Sequence, residues 1–329
     1  MGKQTRSLLI KLLGSALILF VLFRLIDFDK AEFVEILKQM NLQYYLLSLF
    51  GVVIVLAIKS FRWQQIIKNE GFNYSLKKAF GAYMASFTIG IITPGRIGEI
   101  ARLYYLREDC EISFLVSFRT IVTDRIFDIG VLFMLAIAGL FYYSGIIPDQ
   151  VYLAVLAGIL IFFAGLFIAD FMLKLLRRKE KFGQNHVILF IHESIKQAVD
   201  RRAFKLWAIT LAAYLAFYYA LALIFKSVNI DLRIIDIALV FSVVGLVTIL
   251  PISWAGFGTR EVSLVYLLAF YGVPAETAIT FSLLQFAAFF LWGSLIGLVF
   301  WFAMPISLKQ IKEDSRLVKQ LISRKKKSD

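Results

Sequence analysis

Ala79-Phe-Gly-Ala-Tyr-Met-Ala-Ser-Phe-Thr-Ile-Gly-Ile-Ile-Thr93 is an apolar run of 15 residues that stops at Pro94-Gly95-Arg96-Ile97-Gly98-Glu99. At about 1.5 Å per helical residue it is too short to cross a hydrocarbon layer about 30 Å thick. The same pattern returns in the C-terminal half. There Ile234 to Leu250 runs into Pro251-Ile-Ser-Trp-Ala-Gly-Phe-Gly-Thr-Arg-Glu261. Each stretch predicts a half-length helix, a break at Pro94, Gly95 and Gly98 or at Pro251, Gly256 and Gly258, and a second short helix. Such a re-entrant hairpin is tolerated at membrane depth only inside protein or against a water-filled cavity.

Outward from these breaks the chain is apolar throughout. Of 329 residues, 60% are hydrophobic and 18% charged, with a mean hydropathy of +0.78. A soluble domain is nearer 45–50% apolar. Full spans are expected at about 7–26, 42–60, 127–146, 151–173, 206–226 and 277–303. The predicted fold is therefore all-α and polytopic: six spans and two re-entrant hairpins in an inverted repeat over residues 1–306, then a basic tail over 307–329. The first apolar run lacks a small-residue cleavage site and reads as an uncleaved span.

Of the 36 Lys and Arg residues, all but Arg24, Lys30, Lys38, Lys226, Arg233 and Arg260 fall on one side of this layout. Under the positive-inside rule that side, with both termini, is cytoplasmic in a cell membrane. The net charge of +13 thus reads as a topology signal and a lipid-headgroup contact, not as a nucleic-acid surface. Lys30 to Gln39, Arg177 to Lys205 and the tail read as interfacial segments. A single cysteine, Cys110, with only His186 and His192, gives no basis for a disulfide, a metal site or a redox cofactor. No nucleotide-binding loop of the phosphate-cradling kind is present.

The charged residues beside the breaks are the candidate site. Arg96, Glu99 and Arg102 lie in and after the first break, and Arg260 with Glu261 ends the second. Arg125 sits in Asp124-Arg125-Ile-Phe-Asp128, with Arg119 upstream. Charges at such depth are costly and commonly functional. Arg96, Glu99, Arg102, Arg125, Arg260 and Glu261 are expected to line a polar groove for a headgroup. Arg119, Asp124 and Asp128 are expected to form an ion network, either a structural clamp or a gate. Proton coupling, if present, would run through Glu99, Asp124, Asp128 or Glu261.

Pro94-Gly-Arg-Ile-Gly-Glu-Ile-Ala-Arg102, Asp124-Arg125 with Asp128, and Ser253-Trp-Ala-Gly-Phe-Gly-Thr-Arg-Glu261 are together similar to three motifs of the flippase-like transmembrane domain of lysylphosphatidylglycerol synthases. The resemblance covers about residues 7 to 303. It implies a domain that moves a polar-headed lipid between leaflets: a phospholipid, a glycolipid or a polyprenyl phosphate. Arg96 departs from the usual Pro-Gly-Gly, and no aminoacyl-transferase domain follows Met304, so lysyl transfer is not expected. The competing expectation is a membrane glycosyltransferase with a lipid-phosphate sugar donor, in which Asp27 and Asp29 of the first outer loop bind metal or act as base.

Overall fold

The computed structural model describes residues 29–92, 94–145, 151–177, 186–249 and 256–304. The expected span over 7–26, the tail over 307–329, Asp27 and Pro251 lie outside these residues. Among the described residues every regular element is helical.

Helix α1 (Lys30–Lys38) starts where the Asp29 carboxylate accepts from the amides of Ala31 and Glu32. Asn41 caps α2 (Leu42–Asn69) in the same way, satisfying amides that the first turn leaves unpaired. α2 continues nine residues past the expected end of the span at position 60, closing only where Gly71 adopts φ +90°. α3 (Leu76–Ile92) then leads to a 3-10 turn (Pro94–Ala101) and α4 (Arg102–Cys110). The second short helix was expected to begin near Gly98. The tighter 3-10 geometry occupies that stretch instead, and α-helix starts at Arg102.

α5 (Phe114–Tyr143), capped by Ser113, carries its charged N-terminal third on the same helix as its apolar span. α6 (Val151–Arg177), α7 (His186–Val199) and α8 (Ala203–Ser227) follow. α9 (Ile234–Ile249) and α10 (Thr259–Ala269) flank the second break. The last span runs continuously from Ala275 to Ala303. It comprises α11 (Ala275–Phe286), a π-helical turn (Ala287–Trp292) and α12 (Gly293–Ala303). Among the described residues five helices are long and apolar enough to cross a membrane, matching five of the six expected spans.

Small residues let the helices approach closely, as lipid-embedded bundles require. A Cβ at Gly158 of α6 would lie 2.1 Å from the carbonyl oxygen of Met134 on α5. The aromatic core stacks Phe225 of α8 on Phe281 of α11, centroids 3.7 Å apart, while large apolar side chains such as Phe204 and Phe302 face outward.

Polar contacts define two ends of the bundle. At one, the backbone of Asn41 donates to Ser227, and the hydroxyls of Tyr143 and Tyr271 pair at 2.9 Å. At the other, Arg119 and Gln197 bond Glu70, and Lys205 bonds Gln65. The α3–α4 arm opens onto this second end, where Tyr74 and Lys78 both bond Asp109. The α9–α10 arm opens onto the first end, where Tyr271 bonds Asp236. The helices flanking the two breaks therefore open onto opposite ends of the bundle.

Candidate functional site

Because α2 runs on to Asn69, Lys59 and Arg62 stay helical, three residues apart on one face and turned toward α5. There Asp124 and Asp128, four apart, present two carboxylates to them. Arg62 Nη2 meets Asp124 Oδ1 at 2.7 Å and Nη1 meets Asp128 Oδ1 at 2.9 Å. Nη1 also donates to Thr210 Oγ1 and Nη2 to the Asp124 carbonyl, while Nε donates to Asp124 Oδ1. Arg62 and Asp124 are both fully buried.

Arg102, at the start of α4, reaches the other oxygen of Asp124 at 2.7 Å. Its guanidinium lies 5.2 Å from the Trp63 ring centroid and 4.9 Å from that of Tyr83. Lys59 Nζ sits 3.1 Å from Asp128 and over the Tyr214 ring. Arg125 meets Glu99 at 2.6 Å and Asp128 at 3.5 Å. Glu99 itself is carried back against α3, where a Cβ on Gly90 would lie 2.6 Å from its Cγ. Four cations, Lys59, Arg62, Arg102 and Arg125, thus share three carboxylates, Glu99, Asp124 and Asp128, leaving one positive charge in excess.

In the second break Gly256 and Gly258 hold φ of +81° and +86°, a region that side-chain-bearing residues avoid. The turn aims Glu261 back at its own start, where Oε2 accepts from the Gly258 amide at 2.7 Å. Its other oxygen takes Arg260 Nη2 at 2.6 Å and the Ser282 hydroxyl at 2.7 Å. Arg260 is 3% exposed and flanked by the rings of Phe257 and Phe286.

A cavity of about 280 Å³ joins the two groups. Lys59, Tyr83 and Arg125 line one part, and Thr248, Arg260 and Gln285 the other. Phe217, Phe241, Phe289 and Phe290 form apolar walls, the last two from the π-helical turn. Single π turns in longer helices are frequent at functional sites.

Of the residues picked out in the sequence, Arg125 and Arg260 line this cavity. Glu99, Arg102, Asp124, Asp128 and Glu261 bond to or brace the residues that do. Arg119 does not join them: it bonds Glu70 with two nitrogens, toward the end of the bundle where the first hairpin opens. It lies five positions before Asp124 on α5 and meets the C-cap of α2 at Glu70, beyond the reach of Arg62. Pro94, Gly95, Arg96 and Gly98 fall in the 3-10 turn, and the Arg96 side chain lies outside the described set. Asp29 spends its carboxylate on the cap of α1. Sequence reasoning missed Lys59, Arg62 and Gln285. Their signal is the presence of strongly polar side chains inside or directly after apolar helical runs.

The sequence matches the family model described as the lysylphosphatidylglycerol synthase TM region over residues 8–325. The chain belongs to that family. Similar members include a UPF0104 membrane protein of Methanocaldococcus jannaschii, 26% identical over 94% of this chain and 97% of the relative. Another, from Methanothermobacter thermautotrophicus, is 25% identical over 90% and 93%. A second M. jannaschii member is 24% identical over 63% of this chain and 92% of its own length. Family and helices together make this a multi-pass membrane protein.

Proposed function

We propose that this family member moves a polar-headed lipid between the leaflets of a cell membrane, acting as a transporter with no catalytic chemistry of its own. The observation that carries the reading is the single cavity shared by Arg125 and Arg260, with one cation beside each oppositely inserted hairpin. Paired hairpins entering from opposite faces are the build by which transporters alternate access to one central site. The charge bias of the sequence supports an orientation with both termini and the base of the first hairpin on the cytoplasmic side.

The depths of the two cations fit a path across the bilayer. Tyr143 and Tyr271 touch and set one level. At 1.5 Å per helical residue, Arg125 lies about 27 Å from that level along α5, whereas Arg260 lies only about 14 Å before α10 ends at Ala269, two residues short of Tyr271. A headgroup passing from one to the other advances by roughly 10 Å while its acyl chains remain in lipid. The candidate lipids are a phospholipid, a glycolipid or a polyprenyl phosphate.

Leaflet exchange of fluorescent lipid analogues in liposomes holding the purified protein tests this reading. Exchange above empty liposomes, lost in both Arg125→Ala and Arg260→Ala, is expected. Exchange no faster than in empty liposomes for every lipid class would overturn it.

A further inference from the structure

We infer that the cavity takes a phosphate-ester anion with a small uncharged extension, such as glycerol or a single hexose, and excludes headgroups bearing an added ammonium such as a lysyl ester. This rests on the transport reading and narrows its substrate. All three charged side chains that line the cavity, Lys59, Arg125 and Arg260, are cations; among the described residues no carboxylate lines it. The acids that neutralise them stand behind, with Glu99 and Asp128 on Arg125 and Glu261 on Arg260. In sequence the two breaks, 92–97 and 250–255, bring Arg96 and no acid.

Two of these cations keep donors unused among the described residues. Arg260 Nη1 and Arg125 Nε are buried atoms without a hydrogen-bond partner. A buried donor left unpaired is costly, more so on a charged group, so each marks a place where an acceptor belongs. A phosphate supplies several acceptor oxygens and matches the guanidinium fork. Gln285 Oε1, also unpartnered and lining the same cavity, suits a hydroxyl of the extension.

The cavity, about 280 Å³, has room for a phosphate and one glycerol or hexose. A lysyl ammonium in the same space would face the cations directly, with their carboxylates standing behind them, an arrangement that disfavours binding.

The test is calorimetric binding to the full-length protein in detergent, using dihexanoyl phosphatidylglycerol, its lysyl ester, dihexanoyl phosphatidylcholine and farnesyl phosphate. Phosphatidylglycerol or farnesyl phosphate is expected to bind at least about tenfold tighter than the lysyl ester and phosphatidylcholine, the size of one hydrogen bond to a charged group. Whichever of the two binds tighter identifies the source of the phosphate. Arg260→Gln should cost about tenfold in that binding. Gln285→Glu, which leaves the Arg260–Glu261 pair in place and changes little in size, should reverse the preference toward the lysyl ester. Equal affinities in the wild type, a tighter lysyl ester, or no binding by protein with a cooperative melt would each overturn the inference. Selective anion binding without leaflet exchange would instead support the site and overturn the transport reading. Exchange indifferent to headgroup charge, with no selective binding, would leave transport standing and overturn the selectivity.

Discussion

A fully buried guanidinium such as Arg62 is tolerable only because Asp124 and Asp128 share it and Thr210 takes a further donor. Burying ions is expensive, and breaking a buried pair by removing one partner costs about 3–5 kcal/mol because the remaining charge is stranded. Arg62→Met is therefore expected to destabilise the detergent-solubilised protein by that order, seen as a clearly lowered melting temperature. Arg125→Gln should cost distinctly less, since its side chain is 36% exposed. Equal melting of wild type and Arg62→Met would show that the cluster does not hold the bundle together. At this scale the sequence revealed the acids better than their partners. Asp124 and Asp128 show their shared face by spacing, whereas Lys59 and Arg62 look like an ordinary basic flank where the apolar run of α2 stops. The partnership of Arg119 with Glu70 joins residues 49 apart and leaves no local trace.

Each helical hairpin is closed at its open end by a tyrosine and an aspartate. Tyr74 with Lys78 holds Asp109 in the first, and Tyr271 with Arg233 holds Asp236 in the second. Burial, helped by the Asp109 carboxylate, raises the Tyr74 phenol above its ordinary range, and burial pushes Tyr271 up to about 12. Both phenols consequently remain protonated donors across physiological pH. Tyr74→Phe and Tyr271→Phe should each cost about 1 kcal/mol, the worth of one hydrogen bond. The loss is expected locally, as faster amide exchange in α3–α4 or α9–α10 respectively. Exchange that rises evenly over the whole chain would contradict a local clasp. The short apolar helices on the near side of each break were legible from apolar runs ending in Pro and Gly, because too few residues remain to cross a membrane. Their clasps were not, since each joins residues about 35 apart. The 3-10 course of Pro94–Ala101 was not legible either, because Gly98 suits either a helix start or a tight turn.

For the whole molecule, five spans, two opposed hairpins and a one-sided charge distribution give an orientation that the lone thiol can check. Cys110 ends α4, close to the clasp of the first hairpin. Burial raises its thiol above the ordinary range and the adjacent Asp109 adds to the effect. Less thiolate is present at neutral pH, so alkylation should be slow there and accelerate at a higher pH than for free cysteine. An impermeant maleimide should react only from the cytoplasmic face, and labelling from outside would reverse the topology. Hydropathy and charge bias made this architecture readable, because lipid imposes length and charge rules on every span. Arg125 and Arg260 were expected in one groove, but that they line the cavity while Glu99, Arg102 and Glu261 stand behind them was beyond those rules, since it depends on how separate helices pack. The most direct measurement of that shared cavity is a double-mutant cycle on leaflet exchange with Arg125→Gln, Arg260→Gln and the pair. One shared headgroup cavity predicts that the double variant loses little more than the worse single variant. Losses that multiply as for independent sites would contradict it.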